Sequence, residues 1–499
     1  MKKSTSNIVK GFCAIFLLGG LAVSCRQDPI FHVISTETAP IPPRIPGAPT
    51  NMVVFEREYQ VPVDPADPDF DPDAVPETKT ITLLFVASGR LHWYGSPDPA
   101  NESPRWDRDY GIPRPGGKVI ALAVTKTRLY ALCLSSGSLR ATLRYIGHAD
   151  NMWSEVTGVS EFPLIQSIYS TYSDGDDEEG RLFAGARKSS KSTETYAILY
   201  LDSSTDTLQK LKSDTEMLSG AVYRKNEGIY YMCTRGNGIF WVKKDDLETN
   251  SVSDTTVLQL KNIRKAEIQV EIPVEIDPGD PPPDPDEPPE IQIEIQPEIQ
   301  ERDNRIVFMS MIKLKDSAES IIAINRDGGV LHEILTDDAL VDMFNDVPYS
   351  EESEELLNNL KKSHAYSQIF YDNAGTARTG GFAMSAFALW EDPLNSARKL
   401  LVAGRQGTLF STSYNNGYVE FNLTSDGSFD KENPSRGMVT VNNSDRYSTS
   451  LEKQPINHLF QVPKEVDRRM IFFASTQTGG LWSYRDRSSN GGWQWNAEN

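Results

Sequence analysis

Four cysteines are spread over 499 residues, as Cys13, Cys25, Cys133 and Cys233, and no two have the CxxC spacing of a zinc or redox motif. Six histidines, His32, His92, His148, His332, His364 and His458, are as scattered, and none forms HExxH. G-x-S-x-G, the P-loop and the dinucleotide fingerprint are all missing, which removes the sequence arguments for those chemistries. Basic residues are short against acidic ones, 50 to 70, for a net charge of −20. Such a surface repels nucleic acid and anionic lipid, so neither is expected as a partner. Hydrophobic residues make up 38%, which rules out a chain crossing a membrane many times.

The single long apolar stretch runs over 11–23, behind Lys2, Lys3 and Lys10. It is too short to span a bilayer, and its basic flank reads as an export signal over 1–24. The stretch ends in Leu21-Ala22-Val23-Ser24-Cys25, which resembles the lipobox of bacterial lipoproteins. Ala22 stands where that family usually has Leu, and Ser24 where it usually has Gly or Ala, a relaxed form similar to spirochaetal lipoproteins. The resemblance implies cleavage before Cys25 and acylation of that cysteine. Two or three acyl chains anchor firmly where one would not. An exported protein of the cell envelope is then expected, lipid-anchored to the inner or outer membrane, with the anchor as its sole membrane contact. Residues 25–50 would be the lipidated cysteine and a tether rich in proline.

From residue 51 onward one phrase recurs seven times: an apolar β-rich run, a polar turn usually holding glycine, and a second apolar run. The first runs are 83–87, 129–134, 182–185, 229–232, 321–324, 400–403 and 471–474. The second runs are 89–93, 137–139, 196–201, 238–241, 328–331, 407–410 and 479–482. Gly89 and Gly137 are 48 residues apart, and the 101 between Gly137 and Gly238 hold two units. A strand–turn–strand unit at this period marks a β-propeller. The fold class is therefore all-β, a single propeller over 51–499 of about seven four-stranded blades. Trp493-Gln494-Trp495 would form the last strand, with the 51–59 strand completing the ring beside it. Cys133 and Cys233 fall in corresponding strands of non-adjacent repeats, too far apart for a disulfide, and read as buried apolar thiols.

Three insertions interrupt the repeats. Residues 61–77 and 264–303 share a plan of β-run, Asp-Pro-rich turn and return. In the second, Ile268, Val270, Ile272, Val274 and Ile276 alternate with other residues before the turn, and Ile291, Ile293 and Ile295 after it. Period two on both sides of a turn predicts a β-hairpin. The third insertion, 335–379, holds a helix near 351–362, opened by Ser350 and glutamates and closed by Lys361-Lys362.

Two loops, 413–421 and 488–495, resemble the Asp-box of neuraminidase-type propellers, with Asn415 and Asn490 in place of the aspartate. The Asp-box is structural, so the resemblance implies fold and no catalysis. Arg44-Ile45-Pro46 matches the Arg-Ile-Pro of sialidases, but it follows two prolines in the tether and reads as chance. The acidic run 173–180 reads as a solvated loop rather than a calcium site, since the EF-hand pattern is absent. No catalytic residue, cofactor or metal ligand is expected. The reading is a non-enzymatic, monomeric binding or scaffold module for an envelope protein or peptide. The alternative is a glycan hydrolase or glycan-binding protein with its site at the propeller centre.

Overall fold

In the computed structural model the described residues are 45, 47–61, 77–135, 137, 140–172, 179–189, 196–214, 216–225, 228–235, 238–248, 258–259, 263–273, 293–303, 306–315, 318–325, 331–334, 382–393, 395–407, 417–423, 451, 455–477, 479–486 and 493–498. They build antiparallel sheets from consecutive strands. The first sheet is β1 (Met52–Gln60), β2 (Thr78–Ala87), β3 (Leu91–Gly95) and β4 (Arg105–Trp106). The second is β5 (Lys118–Val124), β6 (Arg128–Leu134), β7 (Ala141–Gly147) and β8 (Ser154–Glu155). The third is β9 (Leu164–Ser170), β10 (Leu182–Arg187), β11 (Tyr196–Asp202) and β12 (Thr207–Asp214). The fourth is β13 (Leu218–Arg224), β14 (Ile229–Thr234), β15 (Gly238–Lys243) and β16 (Leu258–Gln259), with a short helix, α1 (Lys244–Glu248), after β15.

A two-stranded ribbon follows, β17 (Ile263–Pro273) and β18 (Ile293–Asp303). The fifth sheet is β19 (Ile306–Lys315), β20 (Ala318–Asn325) and β21 (Leu331–Ile334). The sixth is β22 (Phe382–Asp392), β23 (Asn395–Gly407) and β24 (Gly417–Asn422). The seventh is β25 (Ile456–Gln461), β26 (Phe472–Thr476), β27 (Leu481–Asp486) and β28 (Trp493–Ala497). The first strand of each sheet meets the first strand of the next in chain order, and β25 meets β1. This is the β-propeller the repeats predict. Each first run of the recurring phrase lies in the second strand of a sheet, and the second runs of five of the seven repeats reach into the third strand. Among the described residues the fifth and sixth sheets have three strands rather than four.

The core lies between sheets. Leu83, Phe85, Ala131 and Cys133 pack the first sheet on the second, and Leu132, Leu143, Ala184 and Leu199 pack the second on the third. Phe183, Ile198, Met232 and Phe240 join the third to the fourth, and Trp390 joins the sixth to the seventh. The second strands of the first four sheets and of the seventh are apolar on both sides because they are covered on both faces, as parallel-sheet strands are elsewhere.

A β-bulge recurs in the first strands. Ile120, Gln166, Ser219, Val307, Ser385 and Asn457 are each left unpaired where the register with the second strand slips by one. In the first sheet Thr50 N–H donates to Ala87 O and Ala87 N–H donates to Asn51 O, which sets two residues against one in the same place. A bulge bends its strand and frees a side chain from the ladder. Ser167 Oγ donates to Leu218 O at 2.9 Å, from the third sheet to the fourth. Asn51 is bonded both ways to Leu122 of β5, its Nδ2 donating to Leu122 O and its Oδ1 accepting from Leu122 N–H at 2.9 Å.

Several sequence expectations are corrected. The 51–59 strand does not lie beside the last strand: β1 is the inner strand of the first sheet and β28 the outer strand of the seventh. The ring closes by packing of Met52, Leu84, Val86, Tyr94 and Trp106 on Val462, Ile471, Phe473 and Leu481. Ile45 is fully buried in that closure, and its carbonyl accepts from Leu481 N–H at 3.3 Å. The third strands of the second and sixth sheets are Ala141–Gly147 and Gly417–Asn422, and of the second runs expected at 137–139 and 407–410 only 137 and 407 are among the described residues. Residues 417–421, read as part of an Asp-box turn, therefore lie in β24, paired with β23. Of the 488–495 segment, Trp493-Gln494-Trp495 lie in β28 and the rest lies outside the described residues. The hairpin over 264–303 is seen as β17 and β18, and β1–β2 pairing continues from Met52↔Val86 to Gln60↔Thr78. Cys13, Cys25, the tips at 62–76 and 274–292 and the insertion at 335–379 lie outside the described residues.

Candidate functional site

A cleft of about 210 Å³ opens where the second, third and fourth sheets meet. Its walls come from turns. Thr125 ends β5 into a tight turn, its N–H donating to Arg128 O at 2.8 Å. The next residue ties that turn to the one before β10, since Lys126 N–H donates to Glu179 O at 2.8 Å. Thr127 Oγ1 donates to the Glu179 carboxylate at 2.7 Å. Gly180 follows with φ +73°, and a Cβ there would lie 2.8 Å from Tyr172 N and 2.7 Å from Tyr172 Cα. Only glycine fits that turn. Arg181 N–H then donates to Thr171 Oγ1 at 2.9 Å, and Thr171 N–H to Arg181 O at 3.0 Å.

These bonds aim Arg181 into the cleft. Its guanidinium carbon lies 5.8 Å from the Tyr200 ring and 6.0 Å from the Tyr230 ring, distances at which a cation is attracted to a π face. Tyr230 packs on Tyr223 at 4.6 Å between centroids. Lys244, opening α1, places Nζ 5.8 Å from the Tyr223 ring and 3.9 Å from Glu248. Thr125, Tyr130, Ser203, Glu179 and Glu248 complete the lining. Burial raises the Tyr130 and Tyr200 phenols above their ordinary value, so both stay protonated at neutral pH. Bonds from Ser204 hold the nearby Asp202 carboxyl below the ordinary aspartate value, with a further contribution from Arg181. The cleft offers cations, aromatic faces and hydroxyl donors on a rigid frame, a set suited to gripping a polar segment.

The other charged constellations are joints of the fold. His92, 1% exposed, has Nδ1 2.8 Å from Asp107 Oδ2, and Arg90 Nε donates to its Nε2 at 3.1 Å. The bond from Arg90 needs a lone pair on Nε2, so Nδ1 carries the proton and donates it to Asp107. Burial works against Asp107 ionising, but the bond from His92, with one from Trp93 N–H and the charge of Arg114, outweighs it and its carboxyl sits below the usual value. Asp206 accepts from Arg128 and, at 2.7 Å, from Tyr145 Oη, which ties the second sheet to the third.

Cys133 and Cys233 are both free and buried, as the repeat positions predict. Burial pushes the Cys133 thiol up to about 11, away from reactivity. Among the described residues no group of histidine, cysteine and carboxylates is arranged to hold a metal ion. None of the helices among them is long and apolar enough to cross a membrane. Cys25, the one site residue expected from sequence, lies outside the described residues. Arg181, Tyr200, Tyr230 and Lys244 had no motif to betray them, because four separate strands and turns supply them.

No protein-family model matches the chain, and no curated protein sequence does. Among solved structures, the Dos1 propeller is similar at 9% identity and a TM-score of 0.38, covering 83% of this chain and 78% of that one. Sqt1 of Saccharomyces cerevisiae is similar at 10% identity and a TM-score of 0.34, covering 83% and 80%. The extracellular domain of a putative hybrid two-component system from B. thetaiotaomicron follows at 11% identity and a TM-score of 0.37; the match covers 81% of this chain and 38% of that one. The fold assignment rests on the chain's own sheets and their order.

Proposed function

We propose that this chain is a non-catalytic binding protein of the cell envelope. It is exported, held to a membrane by acyl chains on Cys25, and presents a propeller whose cleft takes a polar segment of a partner protein. Arg181 carries the binding part. Among the described residues its guanidinium has no carboxylate within ion-pair distance, although it sits between two buried tyrosines in a concave site. Arginine and tyrosine in a desolvated pocket are the residue types that dominate binding energy at protein interfaces. The guanidinium presents five N–H donors in a planar fork, matched to a carboxylate or paired carbonyls of a partner.

Ser203 is exposed at the lip of the cleft, which makes it a place for a photo-reactive residue. Irradiation of intact producing cells should give one discrete protein adduct from position 203, lost with Arg181→Gln and not seen from exposed Asn101. No adduct at 203, or one indifferent to Arg181, overturns the reading. For the anchor, labelling with an alkynyl palmitate should tag the chain and fail in Cys25→Ala, which should also leave the membrane fraction. Labelling retained in Cys25→Ala sinks that part. Purified protein that turns over glycans would overturn the non-catalytic part.

A further inference from the structure

His148 lies in the link after β7, its ring stacked on Phe55 of β1 with 4.6 Å between centroids and 17° between planes. Its Nδ1 is 2.8 Å from the Glu56 carbonyl oxygen, and its Nε2 is 2.9 Å from the Lys126 carbonyl oxygen. Carbonyl oxygens only accept. A neutral imidazole has one N–H and would set its other nitrogen's lone pair against an oxygen, so only the imidazolium makes both bonds. The backbone reinforces the joint: Glu58 N–H donates to His148 O at 2.9 Å. Arg57, 3% exposed, donates to the carbonyls of Gly147 and Asp150, the latter at 2.6 Å.

Lys126 is the pivot. Its carbonyl receives the imidazole, and its N–H holds Glu179 O. Thr125 and Glu179 line the cleft. An unbroken run of bonds therefore leads from β1, through one imidazole, to the cleft wall. Histidine is the side chain whose charge changes between about pH 5 and 8. The charged groups on the elements packed against the ring are Glu56, Arg57 and Glu58 from β1, Lys126 and Glu179 from the two turns, and Asp150 from its own link.

We propose that protonation of His148 couples the first sheet to the wall of the Arg181 cleft, so that capture in the cleft weakens as pH rises through the histidine range. The capture half rests on the binding reading above. The coupling half is read without any ligand.

The chain has six histidines, few enough for nitrogen-edited NMR of their rings in the intact protein. His148 should show both ring nitrogens protonated at pH 5.5. Protection of the Glu58 and Lys126 amides against hydrogen exchange, corrected for intrinsic rates, should drop roughly tenfold between pH 5.5 and 8, the loss of one hydrogen bond's worth of free energy. His148→Phe keeps the stack and removes both bonds, so its protection should be low and pH-independent. His148→Gln, with one donor group, is the second variant if the first does not fold, and should be flat as well. A singly protonated ring at pH 5.5, or wild-type protection that does not change with pH, overturns the coupling. Adduct yield from position 203 should fall several-fold over the same range. Exchange that responds to pH while position 203 captures nothing defeats the binding reading and leaves the coupling standing.

Discussion

The Tyr94 hydroxyl donates a 2.6 Å hydrogen bond to Asp467, both side chains buried, and so joins the first sheet to the seventh. Arg469 grips the same carboxylate with Nε at 3.0 Å and Nη2 at 2.8 Å. Trp106 Nε1 donates to Glu498 at 2.7 Å within the same seam. Among the described residues no sheet mixes strands from the two ends of the chain, so this seam holds by side chains and by a few backbone bonds, such as Gly480 N–H to Gly47 O at 3.1 Å. Tyr94→Phe leaves the carboxylate one donor short in a buried place and should cost about 1–3 kcal/mol of stability, read from urea midpoints at pH 7. Burial would push the Asp467 carboxyl up, but the bonds from Arg469 and Tyr94 outweigh it and hold it low. A carboxyl lowered in the folded state adds stability above its unfolded value and loses it as pH falls through the folded value. Asp467→Asn should therefore be less stable at pH 7 and nearly level with wild type at the acid end.

Asn51 tests the bulge device. It exchanges two hydrogen bonds with Leu122 across the first and second sheets. Asn51→Ala should cost roughly 1–3 kcal/mol, because it orphans a buried carbonyl and a buried N–H. Asn51→Ser, too short to reach both, should not recover it. A thermal midpoint within about 1 °C of wild type for Asn51→Ala would mean the bonds are replaced by water.

His458 on the inner strand β25 is half-buried, its Nδ1 shielded from solvent with no partner among the described residues, and burial pushes it down to about 4. The unfolded chain keeps the ordinary value of 6.5 and binds the proton first on acidification. Stability is then complete above about pH 6.5 and falls as pH drops toward 4. His458→Leu should remove that part of the acid slope; midpoints at pH 7.5 and 5 would show it. An unchanged slope in the variant would place the ring in water.

The two thiols give a probe of the whole ring. Cys133 and Cys233 are buried in the second strands of the second and fourth sheets. An aromatic disulfide reagent should label neither in the native protein beyond the global unfolding rate, and both in denaturant. Labelling of Cys133 faster than unfolding would show the second sheet opening by itself.

What could be read ahead of the structure follows from range. A strand buried on both faces must be apolar along its length, and a hairpin turn with positive φ wants glycine; both are local, so the repeats were plain. Gly89 and Gly480 have φ of +72° and +75° in turns between second and third strands. The Asp-box pattern misled at 417–421, because a glycine and aromatics serve a turn and a strand alike, and those residues pair with β23. The bulges left no mark, since Ile120, Gln166 and Ser219 share no chemistry. The cleft was hidden for the same reason, with Arg181, Tyr200, Tyr230 and Lys244 unrelated in spacing.

By itself the sequence determined the β-rich repeat, the acidic balance and the buried thiols, all legible from composition and neighbouring residues. The tertiary structure decided how the ring closes, which residues share the cleft, and that one imidazole spans two carbonyls. Those depend on groups up to several hundred positions apart, such as Tyr94 and Asp467, and only the packing of one sheet on another brings such groups within hydrogen-bond reach.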